Sequence, residues 1–223
     1  MFIFFLIIRY MIEIIPNLYL GNLSTIEDYQ QHNLEKFSLI INISNIPIHS
    51  EIRQKLQKTK ILDIKIPDVP ESNIKSYFDY TSKNIHGCLS QYQKVLVYCK
   101  VGKSRSVSII INYLMTYQDI SYELAFVQML TKKSSIGPNY GFIQQLKEHR
   151  YQSHSSLENV ISRDLQQLQE LYQQKIQKLE GKKTPEEWER LSKDREIERY
   201  LDSVLSEDKN IYDSDSISNN KQN

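Results

Sequence analysis

The chain has 223 residues, 40% of them hydrophobic, and a formal net charge of +1. That is enough apolar material for one full domain with a modest remainder, and too balanced a charge for bulk nucleic-acid binding. Two cysteines, Cys88 and Cys99, are too few for a disulfide framework, and neither has metal-ligand spacing with the five histidines, so a reducing compartment, cytoplasmic or nuclear, is expected.

Residues Met1 to Ile8 (MFIFFLII) are intensely apolar but fall far short of the about 20 residues that span a bilayer. They also lack the basic start and small-residue cleavage site of a signal peptide. Residues 1–10 are therefore read as an apolar extension with no firm membrane signal, and Met11 as an alternative start. The run Ile61-Leu62-Asp63-Ile64-Lys65-Ile66 alternates as a strand does, with Asp63 pointing outward, and Pro67-Asp68-Val69-Pro70 breaks it as a loop. A helix is expected from Tyr77 to Leu89, with Ile85, Cys88 and Leu89 on one face and Cys88 in the core. Lys94-Val95-Leu96-Val97 is a short apolar run suited to a buried strand, and Ser106 to Tyr117 (SVSIIINYLMTY) suits a buried helix.

The loop between that strand and that helix carries the chemistry. Backbone N–H groups of residues 100–105 can converge on an anion at the positive end of the helix, and Gly102 permits a backbone conformation that a side chain would block. The same field favours a thiolate at Cys99, since cysteines in such surroundings titrate at roughly 3.5–7.5 instead of about 8.5. Arg105 offers a planar fork for two phosphoryl oxygens, and Ser106 can donate a hydrogen bond to a departing thiolate.

Beyond residue 150 the composition shifts to Gln, Glu, Lys and Leu. Leu157, Ile161, Leu165, Leu168, Tyr172, Ile176 and Leu179 follow one helix face at about 3.67 residues per turn, and Gly181 stops it. Thr184-Pro185-Glu186-Glu187 then reads as the cap of a second helix reaching about Leu205. Residues 151–206 are expected to form a helical hairpin or coiled-coil-like extension for self-association or a partner, and residues 207–223 a disordered polar tail.

The segment Val97-Tyr98-Cys99-Lys100-Val101-Gly102-Lys103-Ser104-Arg105-Ser106 resembles the signature of the cysteine-based phosphatases: His-Cys, two residues, Gly, two residues, Arg, then Ser or Thr. Its ending is similar to that of the dual-specificity branch. The resemblance covers about residues 11–150, a compact length that favours that branch over larger tyrosine phosphatases. Ile14-Ile15-Pro16-Asn17-Leu18-Tyr19-Leu20-Gly21 is similar to the family's opening strand pair, and Leu39-Ile40-Ile41-Asn42-Ile43-Ser44 to its next core strand. Ile66-Pro67-Asp68, followed by Ile74, Tyr77 and Phe78, is similar to the loop carrying the general acid. The segment Gly137-Pro138-Asn139-Tyr140-Gly141-Phe142, with Gln145 and Leu146, resembles the last family motif.

The resemblance implies an α/β fold, a central mixed sheet flanked by helices, with the nucleophile loop at the carboxyl end of a core strand. It implies Cys99 as nucleophile, Asp68 rather than Asp63 as acid, and Arg105 and Ser106 as catalytic partners. Lys100, Val101, Gly102, Lys103, Ser104 and Arg105 would hold the phosphate. The expected activity is hydrolysis of phosphotyrosine and phosphoserine or phosphothreonine in protein substrates through a phosphocysteine, with no metal or organic cofactor. Two features point elsewhere. Lys100 and Lys103 together are similar to the loop of phosphoinositide phosphatases. Tyr98 replaces the family's usual histidine, and a phenol can offer the loop one hydrogen bond but no charge, so a raised thiol pKa or a catalytically weak phosphoprotein-binding module is the other alternative. Cys88 has the alternative of a protective disulfide with oxidised Cys99.

Overall fold

The computed structural model describes residues 11–153 and Gln167. All elements below lie in Met1–Leu165, the first of two compact units. The apolar extension expected over 1–10, the helices expected beyond Ser153 and the polar tail fall outside the described residues.

The most uniformly apolar runs make the middle of the sheet. Strands β3 (Leu39–Asn42) and β5 (Val95–Tyr98) are buried at every position and pair in parallel, as strands covered on both faces do. On the other side of β5 lies β2 (Leu18–Gly21), also parallel, with β1 (Met11–Ile15) antiparallel to it at one edge. Strand β4 (Lys60–Asp63), exposed at both ends, forms the other edge parallel to β3. The order is β1-β2-β5-β3-β4. The residue that follows β5 therefore emerges at mid-sheet, flanked by β2 and β3.

Strand alternation sends Ile40, Leu96 and Tyr98 into a cluster with Ile26, Leu34, Phe37, Ile48 and Leu56. Helix α1 (Leu23–Glu27), a 3-10 turn at Leu34–Lys36 and helix α2 (Ser50–Lys55) lie around that cluster. Helix α3 (Phe78–Leu89) packs on β3 and β5, and α4 (Arg105–Tyr117) on β5 and β2. Helix α5 (Tyr122–Lys132) packs on β1 and α4, and α6 (Tyr140–Ser153) on α4. Helix α4 is buried at every position from Arg105 to Met115, including its polar residues Arg105, Ser106, Ser108 and Asn112, so its apolar residues are not confined to one face. Among the described residues no helix is long and apolar enough to cross a membrane.

The elements differ from the sequence reading mainly where a partner runs out. The alternating run from Ile61 to Ile66 pairs only through Asp63, because β3 ends at Asn42; the last ladder bond is Ile64 N–H to the Asn42 carbonyl at 2.8 Å. Ile64 and Ile66 nevertheless stay buried as the chain leaves the sheet. Asp63 accepts from Asn42 Nδ2 at 2.9 Å and pairs with Arg53, so it ties strand ends together. Helix α6 runs three residues past the expected boundary at 150.

Cys88 is a correction. It is half-buried on α3 rather than in the core, with burial pushing its thiol up. Its carbonyl accepts from Gln93 N–H just before β5 begins, so it sits at the opposite end of that strand from Cys99. Four strand residues span about 13 Å, well beyond the ~4.4–6.8 Å between Cα atoms that a disulfide requires. The two thiols do not meet in this fold.

Candidate active site

The sheet leads to one loop. Strand β5 ends at Tyr98, α4 begins at Arg105, and Cys99 lies at the base of the turn between them, 1% exposed. Its Sγ accepts hydrogen bonds from Ser106 Oγ at 3.1 Å and Gly102 N–H at 3.2 Å. Burial alone would raise the thiol pKa. The Ser106 hydroxyl, the backbone N–H groups of Ser106 and Gly102, and the charge of Arg105 outweigh burial and leave the pKa below its ordinary value.

The loop is pinned with its carbonyls outward. The Lys100 carbonyl accepts from Leu23 N–H at 3.3 Å, the Gly102 carbonyl from Lys133 Nζ at 2.8 Å, and the Lys103 carbonyl from Gly137 N–H at 2.9 Å. In a trans peptide the N–H points opposite to the carbonyl. The N–H groups of Val101, Lys103 and Ser104 are thus turned inward, as an anion cradle requires. Gly102 takes φ of 71°, and a Cβ there would stand 2.6 Å from the Gly21 carbonyl oxygen, so only glycine fits. The side chains of Lys100, Val101 and Lys103 are exposed on the rim, leaving their backbone as the contribution to the cradle.

Arg105 is 6% exposed. One guanidinium nitrogen donates to the Ile66 carbonyl at 3.1 Å, while Nε lies 3.4 Å from Asp68 Oδ2 as an ion pair without a hydrogen bond. Asp68 Oδ1 accepts from Ser104 Oγ at 2.6 Å and from Asn139 Nδ2 at 2.9 Å. Asn139 Oδ1 in turn caps Phe142 N–H at 3.1 Å, which fixes the orientation of the amide. The Asp68 loop is further held by α6: Gln145 donates to the Ser72 carbonyl at 2.9 Å and accepts from Lys75 N–H at 3.0 Å. A Cβ on Gly141 would stand 2.0 Å from the Pro70 carbonyl oxygen, so the first turn of α6 lies directly on this loop.

The structure therefore brings Cys99, Ser106, Arg105, Ser104 and Asp68 into one site, while Asp63 stands apart on Asn42 and Arg53. Asn139 and Gln145 were visible in the sequence as motif residues without a role. The cap position of Asn139 before a helix was the available signal for one.

Tyr98 departs from expectation. Its ring is fully buried among Ile40, Leu96, Phe37 and Leu56, and among the described residues its hydroxyl has no hydrogen-bond partner. Burial, then the charge of Asp63, push its phenol well up. Strand alternation has turned the side chain into the core, so it gives the loop no hydrogen bond.

A model described as the catalytic domain of dual specificity phosphatase matches residues 18–152, more than half of the chain. Mouse dual specificity protein phosphatase 22 is 36% identical over 138 residues, 62% of this chain and 72% of the relative. The human protein of that name is 35% identical over 136 residues, 61% and 71% respectively. Among solved structures, DUSP15 is similar at 32% identity with a TM-score of 0.60, covering 65% of this chain and 90% of that one. A human tyrosine phosphatase-like serine/threonine/tyrosine-interacting protein is similar at 32% identity and a TM-score of 0.58, covering 64% and 97%. The Cys99 loop at mid-sheet, the Asp68 loop clamped beside it and a family match spanning both lead to one conclusion: the chain belongs to the dual specificity phosphatase family.

Proposed function

We propose that the protein hydrolyses phosphotyrosine and phosphoserine or phosphothreonine in protein substrates by way of a phosphocysteine. The observation that carries this reading is the environment of Cys99: a buried sulfur with a lowered pKa, donated two hydrogen bonds, beneath a loop whose carbonyls face away. The thiolate attacks phosphorus, the ester P–O bond breaks, and Asp68 gives its proton to the leaving oxygen. Arg105 and the loop N–H groups take up the charge on the phosphoryl oxygens. Asp68, now a carboxylate, accepts a proton from water as that water attacks the phosphocysteine. The S–P bond breaks, inorganic phosphate leaves, and Ser106 donates to the returning thiolate. Apart from that water, every catalytic group used belongs to the chain.

The test is a panel of an aryl phosphate, phosphopeptides and phosphoinositides, with wild type beside Cys99→Ser and Arg105→Lys. Hydrolysis without added metal, nearly abolished in both variants, is expected; activity surviving in Cys99→Ser, or removed by a chelator, contradicts the mechanism. A second reading rests on the exposed Lys100 and Lys103, which could meet extra phosphates of a polyanionic substrate. A tenfold preference for a phosphoinositide, about 1.4 kcal/mol, would favour it. Phosphopeptide binding without turnover in wild type would instead favour the binding module.

A further inference from the structure

We propose that Lys133 is a positioning residue of the phosphate site: its ammonium latches the Gly102–Lys103 peptide unit with the carbonyl outward, so that the Lys103 N–H faces the substrate phosphate. The inference rests on the reading of Cys99 as nucleophile and adds a residue from outside the nucleophile loop.

Three carbonyls of the loop are held from outside, at Lys100, Gly102 and Lys103. Two of the three holders are backbone N–H groups, those of Leu23 and Gly137, which side-chain changes leave in place. The third is the Lys133 side chain, arriving from the end of α5 with Nζ 2.8 Å from the Gly102 oxygen. This peptide unit is the one most in need of a latch. Gly102, at φ of 71°, lacks the Cβ that restrains its neighbours, and rotation of the unit would aim a carbonyl oxygen at the anion in place of an N–H. A charge-assisted hydrogen bond to that oxygen opposes the rotation and polarises the same peptide, strengthening the opposite N–H as a donor.

The charges around the latch agree with this role. Burial lowers the ammonium pKa, the Cys99 thiolate raises it, and Lys103 lowers it. The other charged groups at the site are Arg105, at the start of α4, and Asp68, paired with Arg105 on the acid loop. At the thiol itself the Ser106, Gly102 and Arg105 interactions dominate. The chief consequence of losing Lys133 is therefore expected in anion affinity, with a smaller rise in the thiol pKa.

The test reads anion affinity without requiring turnover. Inorganic phosphate protects Cys99 from iodoacetamide, followed on the Cys99 peptide by mass spectrometry so that Cys88 does not interfere. The full chain is compared with Lys133→Met and Lys133→Arg. The Met variant should need roughly tenfold more phosphate for half-protection, at the low end of what a hydrogen bond to a charged group contributes. The Arg variant, which keeps donor and charge, should stay within about twofold. KM for an aryl phosphate should rise in step, with kcat less affected. A Met variant with wild-type half-protection overturns the inference, even if its melting temperature falls, and so does an Arg variant as impaired as Met. Lys133 is half-exposed, so Met should fold; Lys133→Ala serves with the same criteria if it does not. Loss of turnover in Cys99→Ser together with unchanged Lys133→Met would sink this inference alone and leave the mechanism standing.

Discussion

Replacing Asp68 by asparagine separates proton donation from everything else the residue does. Ser104 Oγ and Asn139 Nδ2 both donate to Oδ1, so an asparagine would turn its own oxygen toward them and keep both bonds. Its amide nitrogen would then face Arg105 Nε, where Oδ2 now stands at 3.4 Å. The ion pair is lost, and because Arg105 is buried its guanidinium keeps the Ile66 carbonyl but loses its carboxylate partner, which costs stability. The melting temperature should therefore fall, but that loss and any loss of phosphate binding are common to all substrates, whereas loss of leaving-group protonation differs between them. A general acid contributes about 10²–10⁴ in rate, or about 2.7–5.5 kcal/mol at 1.36 kcal/mol per decade. The assay is kcat/KM for a phosphoserine peptide, a phosphotyrosine peptide and an aryl phosphate whose phenolate is already stable. Asp68→Asn should lose most on phosphoserine and least on the aryl phosphate. Equal losses on all three, or a leaving-group dependence that follows Asp63→Asn instead, would refute the assignment.

Three other outcomes follow from particular contacts. Tyr98→Phe removes a buried hydroxyl that has no partner among the described residues, so it should leave the melting temperature unchanged or raise stability by about 1–3 kcal/mol, with no change in the pH midpoint of Cys99 alkylation; a shifted midpoint would show that the phenol does act on the loop. Ser106→Ala removes the hydroxyl that does most to lower the thiol pKa, so the alkylation midpoint and the acidic limb of turnover should both move to higher pH, and the phosphocysteine should accumulate; a midpoint that stays put or falls contradicts this. Gly141→Ala forces a Cβ onto the Pro70 carbonyl, so thermal stability should fall, and if Asp68 is the acid, turnover of the phosphoserine peptide should fall more than that of the aryl phosphate as the Asp68 loop is displaced.

Residues that act through local pattern could be read without a structure. The buried run Val95-Leu96-Val97 and the apolar helix after it fixed the place of Cys99 and Arg105, and the strand and helix lie within one residue of expectation at each compared end. Asp68 was proposed as the acid from family resemblance, since its turn-like setting between prolines carried no chemistry of its own. What stayed hidden depends on contacts distant in sequence. Asn139 meets Asp68 across 71 positions and Lys133 meets Gly102 across 31, and no periodicity links such pairs. Tyr98 shows the reverse. Its position beside the nucleophile suggested a role in ordering the loop, whereas strand alternation had already committed its ring to the core with Leu96. Short helices α1 and α2 were too brief for a periodic signal, although the reciprocal cap between Asn22 and Thr25 marks the start of α1.

The most direct measurement is acid quenching of aryl phosphate turnover followed by mass spectrometry of the Cys99 peptide, in wild type and in Ser106→Ala. The account expects one phosphoryl group on Cys99 during turnover, more of it in Ser106→Ala because thiolate departure is slowed, and none in Cys99→Ser. Steady hydrolysis with Cys99 never phosphorylated, or with the phosphoryl group on another residue, would contradict it.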